Sequence, residues 1–110
     1  MSWLLEGKHF SILCTISHNG YSIDIQSLID SGANGFAFIN TLFAIEATKF
    51  LDTKFIQLRH PIPIKGFDRE QGNTITYVLI LHLTINRRQQ ENLPFCILDL
   101  GNYNVILGLK

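Results

Sequence analysis

The sequence has 110 residues, of which 46% are apolar, 11% aromatic and 16% charged, and its nine Lys and Arg residues balance nine Asp and Glu residues. This length predicts one domain, residues 1–110, with a core that needs no metal or disulfide. Zero net charge argues against nucleic-acid binding, and no apolar run approaches the ~20 residues that cross a bilayer. Residues 1–10 lack a secretory apolar segment, so we expect an intracellular protein.

The cysteines and histidines do not indicate a metal or redox site. Cys14 and Cys96 lie in apolar runs, where a free cysteine behaves as a small buried apolar residue. Without a secretion signal we expect no disulfide between them. The four histidines show no metal-ligand spacing with one another or with the cysteines, so we expect neither a metal nor a cofactor.

The first third of the chain predicts a hairpin and a short strand. Residues 10–16 alternate, with Phe10, Ile12, Cys14 and Ile16 on one face, and residues 22–28 alternate again. Asn19-Gly20 between them suits the two positive-φ positions of a tight turn. A loop of turn-forming residues follows at 30–35, and residues 36–39 resume as a strand.

A short helix is predicted from Leu42 to about Leu51. Asn40 or Thr41 would cap its N-terminus. Its apolar face would comprise Phe43, Ala47, Phe50 and Leu51.

The rest of the sequence predicts strands and turns. Residues 55–58 are extended, and Pro61 and Pro63 require an extended backbone over 61–64. The glycine-bracketed polar stretch 66–73 predicts the tip of a projecting hairpin. The remaining predicted elements are a return strand over 74–85, a polar turn over 86–92, a strand over 93–100, a turn over 101–104 and a strand over 105–108. About seven strands and one helix predict a mostly β, small closed barrel or sandwich.

The chemically distinctive feature is Asp30-Ser31-Gly32. A carboxylate ends an apolar strand, where burial and neighbouring groups can adjust its protonation, and glycine lets a backbone or a substrate come close. Asp, Ser and Gly are also common turn formers, so the tripeptide alone is equally an ordinary strand-end turn.

The order of several motifs removes much of that ambiguity. Ile29 to Ala33, the hairpin stretch beginning at Pro61, and Ile106-Leu107-Gly108 occur in sequence. Together they resemble the retropepsin-like aspartic proteases, above all those of gypsy-type long-terminal-repeat retrotransposons. The resemblance covers about residues 10–108 and implies a closed β-barrel half-lobe with one short helix and a flap hairpin, acting as a homodimer.

The resemblance also implies roles for particular residues. Asp30 would be the catalytic carboxylate, and Ser31, Gly32 and Gly108 would support the active-site loop. A flap over residues 64–77 would close over the substrate. The implied peptide-binding residues are Gly32, Ala33, Asn34, Phe67, Asp68 and Gly72.

Asp30 is the only one of the nine acidic residues that Ser or Thr and then Gly follow. Aspartic-protease chemistry uses two carboxyl groups that share a proton, so one chain supplies half a site and a two-fold-related copy must supply the other. The resemblance thus implies a homodimer that cleaves a peptide or polyprotein substrate, either in the cytoplasm or within retroelement particles.

Two other functional interpretations remain open. Relatives continue beyond the Ile-Leu-Gly strand into a helix, and often into a terminal strand that holds the dimer, whereas this sequence ends at Lys110; we therefore expect activity to depend on those segments. A catalytically silent module that dimerises or binds peptides is the first alternative. A plain β-barrel fragment is the second.

Overall fold

The computed structural model describes residues 9–30, 35–63 and 74–108, and these residues form seven strands and one helix. The helix α1 is Thr41–Phe50. The strands are β1 (His9–His18), β2 (Tyr21–Asp30), β3 (Ala37–Asn40), β4 (Ile56–Pro63), β5 (Thr74–Ile85), β6 (Arg88–Leu98) and β7 (Val105–Gly108). The predicted mostly β fold class is confirmed.

Six of these strands close into a barrel. They follow one another in the order β1, β2, β7, β3, β6 and β5, and β1 pairs with β5 to complete the ring. Most neighbours are antiparallel, but β2 with β7 and β3 with β6 are parallel pairs. β4 lies outside the ring, on the edge of β5. Its Pro61 and Pro63 suit an edge, because proline cannot donate a ladder hydrogen bond.

Alternation along the strands sorts the buried apolar side chains into two clusters. The inner cluster draws on all six strands of the ring and therefore fills the barrel; it comprises Cys14, Ile16, Ile25, Ile29, Ala37, Ile39, Leu79, Leu81, Leu83, Phe95, Val105 and Leu107, with Ala44, Ala47 and Leu51 from α1 and its C-cap. The outer cluster uses the opposite face of β2, β3, β6 and β7. It comprises Leu28, Phe38, Ile75, Val78, Cys96, Leu98, Leu100 and Ile106, with Leu58, Ile62, Ile80 and Tyr103 packed against it.

The predicted tight turn at Asn19-Gly20 is confirmed, since their φ angles are 54° and 82°. The predicted polar turn over 86–92 is wrong. β6 begins at Arg88, opposite Ile85, so the turn consists of Asn86 and Arg87, both at positive φ. Polar side chains on an exposed strand do not interrupt backbone pairing, which is why composition alone overestimated the turn.

The predicted helix exists, but its buried face differs from the prediction. Ala47 and Leu51 are buried as expected, whereas Phe50 is 57% exposed and Ala44 is buried instead. The Phe50 ring meets the edge of Tyr21 at the surface, with 6.4 Å between ring centroids. Small residues on the buried face allow the helix to lie close against the barrel.

The two extended segments predicted at 55–58 and 61–64 belong to one irregular strand. Gln57 lies opposite Tyr77, and Ile62 lies opposite Ile75. The five residue steps from Gln57 to Ile62 in β4 therefore span only two residue steps of β5, and the pairing is irregular between them. The return strand was predicted with the observed bounds, Thr74–Ile85. The pair Pro63 and Thr74 closes the described part of the hairpin, and its predicted tip lies outside the described residues.

Candidate active site

Asp30 is the last residue of β2, and its position follows from the strand it ends. β2 lies between β1 and β7, and Asp30 stands opposite His9 on one side and Gly108 on the other. The residue is 0% exposed in the single chain. Since side chains alternate along a strand, Asp30 lies on the same face as Leu28, the face of the outer cluster. The sequence predicted a carboxylate at the end of an apolar strand, and Asp30 occupies that position.

β7 is the element that brings Gly108 to this acid. It runs parallel to β2 and antiparallel to β3, so it is bonded on both sides. The backbone N–H of Gly108 donates to the carbonyl oxygen of Phe36 at 2.7 Å. The Ile-Leu-Gly strand therefore passes beside the end of the Asp30 strand, as the resemblance implied.

The outer cluster connects this acid to two other parts of the molecule. Leu28 and Ile106 are opposite one another in β2 and β7, two residues before Asp30 and Gly108. The same cluster includes Ile75 and Val78 from the return arm of the predicted flap. It also includes Leu100 from the connection between β6 and β7. Apolar packing thus connects Leu28, two residues before the acid, to the base of the hairpin that was predicted to cover the site.

A family comparison agrees with this arrangement. Residues 26–110 match the model of the PEG10/RTL1 protease domain, more than three quarters of the chain. The chain belongs to the PEG10/RTL1 protease domain family. This family is a retropepsin-like domain from gypsy-type retrotransposon-derived genes, which confirms the resemblance drawn from the sequence. No solved structure matches the chain.

The matched range contains most of what shapes the candidate site of this protease domain. It begins within β2 at Gln26 and includes Asp30, β3, the arms of the hairpin and β7. β1 and the turn at Asn19-Gly20 lie before it. The shared part of the family is therefore the part that carries the acid and the outer cluster.

The remaining predicted site residues lie outside the described residues. They are Ser31, Gly32, Ala33, Asn34, Phe67, Asp68 and Gly72. Their roles in supporting the loop and binding peptide stay predictions. Asp30 and Gly108 are the two predicted site residues that the structure describes, and they lie side by side.

Asn40, at the end of β3, has a structural role that the sequence prediction missed by treating it only as a helix cap. It is buried, and its side-chain Oδ1 accepts the N–H of Leu100 at 2.8 Å. It does occupy the N-cap position of α1, but its side chain makes no capping hydrogen bond. No pattern in the sequence separates these two uses of an asparagine, because the second requires the folded connection between β6 and β7.

Both cysteines are buried, as expected, and each is a free thiol. Burial raises the pKa of the Cys96 thiol to about 11. Burial also raises the pKa of Cys14, against the opposing effect of its 2.7 Å hydrogen bond with the Ser27 hydroxyl. Neutral, buried thiols of this kind are poor nucleophiles and poor metal ligands.

Within residues 9–30, 35–63 and 74–108, no three His, Cys, Asp or Glu side chains converge as a metal site would require. In the same ranges no helix has the length and hydropathy of a membrane span. Of the histidines, His82 is half-buried, and its Nδ1 accepts the N–H of Asn92 at 3.1 Å.

Proposed function

We propose that this chain is an aspartic endopeptidase whose active site combines the Asp30 residues of two copies. The observation that carries the proposal is the burial of Asp30 at the end of β2, beside Gly108 of β7, within a domain of a protease family. Asp30 is also the single acid in the sequence with the Ser-Gly context, so a complete dyad requires a second copy. A two-fold axis would bring the two acids together with each chain using the same surface.

In the proposed reaction the two carboxyl groups share one proton, because two carboxylates held close together do not both ionise readily. The ionised group takes a proton from water as the water oxygen attacks the peptide carbonyl carbon. The protonated group gives its proton to the carbonyl oxygen, which forms a tetrahedral diol. The C–N bond then breaks as the protonated group passes its proton to the leaving nitrogen and the ionised group takes a proton from one diol hydroxyl. The products are a carboxylic acid and an amine, and the pair is again singly protonated.

The substrate we propose is an extended segment of a polyprotein, held over the acids by the hairpin of β4 and β5. The outer cluster supports this assignment because it links the base of that hairpin to the neighbours of Asp30. No cofactor takes part in the proposed mechanism.

The decisive experiment compares peptide cleavage by the wild-type chain, Asp30→Asn and Asp52→Asn. In Asp30→Asn the carboxyl group becomes an amide, which can neither accept nor donate the required proton, so we expect a loss of at least roughly 10³-fold. Asp52 is exposed beyond α1, and asparagine tolerates its positive φ of 53°. The Asp52→Asn variant should cleave at the wild-type rate.

Three further measurements complete that test. A statine-containing inhibitor should stop cleavage, and the rate should be bell-shaped in pH with an acidic optimum, because only the singly protonated pair is competent. Sedimentation should identify the active species as a dimer. Wild-type cleavage by Asp30→Asn, or by a monomer, would refute the proposal. A dimer that binds the inhibitor without cleaving would instead be the silent peptide-binding module.

A further inference from the structure

An apolar cleft lies between α1 and the segment that leads from α1 into β4. Its volume is about 310 Å³, and its lining residues are Ile45, Thr48, Thr53, Lys54 and Phe55. The side chains of Ile45 and Phe55 are each more than one third exposed, so the cleft opens to solvent between them. A cleft of this kind admits one large apolar side chain, which is the usual anchor of a protein–protein contact.

Exposed apolar side chains continue from this cleft on both sides. Leu42 lies about one turn before Ile45 on α1, and it is 74% exposed. On the other side, the ring of Phe55 contacts the exposed ring of Tyr77 in β5, with 6.2 Å between ring centroids. Ile56, the first residue of β4, is exposed as well. Single exposed apolar residues are ordinary, whereas a contiguous group of them around a cleft marks an interaction site.

The edge of β4 offers backbone hydrogen-bonding groups next to the same cleft. Among the described strands, β4 pairs only with β5, so its other edge is open. Pro61 and Pro63 lack the N–H that pairing requires, and both lie in the second half of the strand. The first half, residues 56–59, contains no proline and directly follows Phe55. The part of the edge that can accept another strand therefore adjoins the apolar cleft.

Positive charges flank this open half of the edge. Lys54 lines the cleft before it and Arg59 ends it, and both residues are exposed. Within the part of the chain that the structure describes, neither forms an ion pair. Glu46 of α1 is engaged by Lys49 at 3.4 Å, and the Asp52 carboxylate accepts a hydrogen bond from the β1–β2 turn. The two flanking cations therefore remain available to acidic groups of a partner.

The same charges argue against a second copy of the chain as the occupant. Two copies that paired edge to edge about a two-fold axis would use the same surface of each. Antiparallel pairing centred on residues 56 and 57 would bring Lys54 of one copy near Arg59 of the other, which is an unfavourable like-charge contact. An acidic segment meets attraction at both positions instead. Its acids would lie about five residues apart, since Lys54 and Arg59 are roughly 16 Å apart along an extended backbone.

We propose that the cleft and residues 56–59 of β4 form a docking site for a short extended segment of a partner protein. One large apolar side chain of the segment enters the cleft between Ile45 and Phe55, and the acids on either side of it pair with Lys54 and Arg59. The backbone of the segment adds a strand to the edge of β4, so main-chain hydrogen bonds supply affinity and the cleft supplies specificity. The docking site contains none of the residues assigned to catalysis or to substrate binding, so the inference does not depend on proteolysis.

The probe for this site is the peptide Glu-Val-Thr-Phe-Val-Glu, amidated at its C-terminus and labelled with fluorescein through a Gly-Gly linker at its N-terminus. Fluorescence polarisation should give a Kd of about 100 µM or tighter, as expected of a small, transient interface. A peptide with Lys in place of both Glu residues, and one with N-methylated backbone amides, should each bind roughly tenfold more weakly. Saturating statine-containing inhibitor should leave the Kd of the probe unchanged, because the probe does not occupy the proposed active site.

Three variants test the assignment of the site. Ile45→Glu places a carboxylate in the cleft, and Lys54→Glu reverses a flanking charge. Each should weaken binding of the probe roughly tenfold. Lys49→Glu is the matched control, because it reverses an exposed charge on α1 that does not line the cleft; its Kd should stay within about twofold of the wild type. Thermal unfolding checks that each variant is folded, and the exposed Lys54 position carries the test if Ile45→Glu unfolds.

Several results would overturn the proposal. They are no binding of the probe at about 1 mM chain, equal affinity for the Lys-substituted peptide, displacement of the probe by the inhibitor, or an unchanged Kd in Lys54→Glu. Equal binding of the N-methylated peptide would overturn the addition of a strand to β4. A dimer in sedimentation that Ile45→Glu dissociates would assign the surface to a second copy instead. A wild-type chain that binds the probe but cleaves no peptide would refute the endopeptidase and support the docking site.

Discussion

The inner and outer clusters share the strands β2, β3, β5, β6 and β7, yet they differ in what surrounds them. The inner cluster receives side chains from every strand of the ring and is enclosed by the barrel. The outer cluster is covered by β4 and the 99–104 turn, and it includes Leu28, two residues before Asp30 on the same face of β2. One residue step along a strand exchanges one cluster for the other, as Phe38 does between Ala37 and Ile39. The barrel interior therefore lies on one face of the sheet, and Asp30 lies on the opposite face.

A matched pair of phenylalanines gives the largest expected effect and tests whether the clusters differ in function. Phe95 in the inner cluster and Phe38 in the outer cluster are both 0% exposed, and they lie on the paired strands β6 and β3. Replacing either by Ala should lower the free energy of unfolding by about 3–5 kcal/mol. Denaturant unfolding measures this, and similar losses for both variants are expected.

The two variants should differ in activity per folded molecule. Phe38→Ala removes support from the cluster that borders Asp30, so its KM should rise, while Phe95→Ala should retain the wild-type KM once corrected for unfolded protein. The milder Phe→Leu pair serves the same comparison if either Ala variant fails to fold. Equal KM changes at both positions would remove the functional distinction between the clusters.

Alkaline pH provides the next largest effect, through Cys96 of the outer cluster. Its pKa is raised by burial from about 9 to about 11, so the folded state holds the thiol proton more tightly than the unfolded state. This contribution to stability is complete below pH 9 and is lost as the pH rises toward 11, a loss of about 2–3 kcal/mol. Between pH 8 and pH 11, the free energy of unfolding should fall less steeply for Cys96→Ala than for the wild type. If the free energy of unfolding fell equally steeply with pH in both proteins, the raised pKa of Cys96 would be contradicted.

Thiol labelling sharpens the same comparison. Cys14 lies in the inner cluster and Cys96 in the outer cluster, and both are buried and free. Because the outer cluster is covered partly by an edge strand, we expect it to open locally more often than the barrel interior. At pH 8 a thiol reagent should therefore modify Cys96 roughly tenfold faster than Cys14, as peptide mapping would show. Faster labelling of Cys14 would mean that the barrel opens first.

Sequence reasoning succeeded where local chemistry decides the structure. The turn at Asn19-Gly20 follows from two residues that accept positive φ, and the bounds of β5 and β7 follow from continuous β-branched and aliphatic runs. The pairing of Asp30 with Gly108 came from a family resemblance between distant motifs, since no local pattern specifies the parallel neighbours of β2.

It failed where tertiary contacts decide. Phe50 looks like a core residue on a helical wheel, but the close approach of α1 to the barrel favours Ala44 and Ala47. Asn40 looks like a helix cap, and only the crossing of the 99–104 turn reveals its other partner. The sequence also cannot show which apolar residues enter each cluster until the closure of the ring defines its interior.

The smallest expected effect concerns an apolar residue that belongs to neither cluster. Leu13 lies on β1 between Ile12 and Cys14, and it is 56% exposed. Its alternation places it on the outer face, but the outer cluster contains no β1 residue. Leu13→Thr should therefore change the free energy of unfolding by less than about 0.5 kcal/mol, and threonine suits an exposed strand position. A loss of about 2 kcal/mol or more in denaturant unfolding would exceed what an exposed position can give. It would show that the outer cluster extends over β1, and that its boundary near Asp30 is wider than the packing of the described residues indicates.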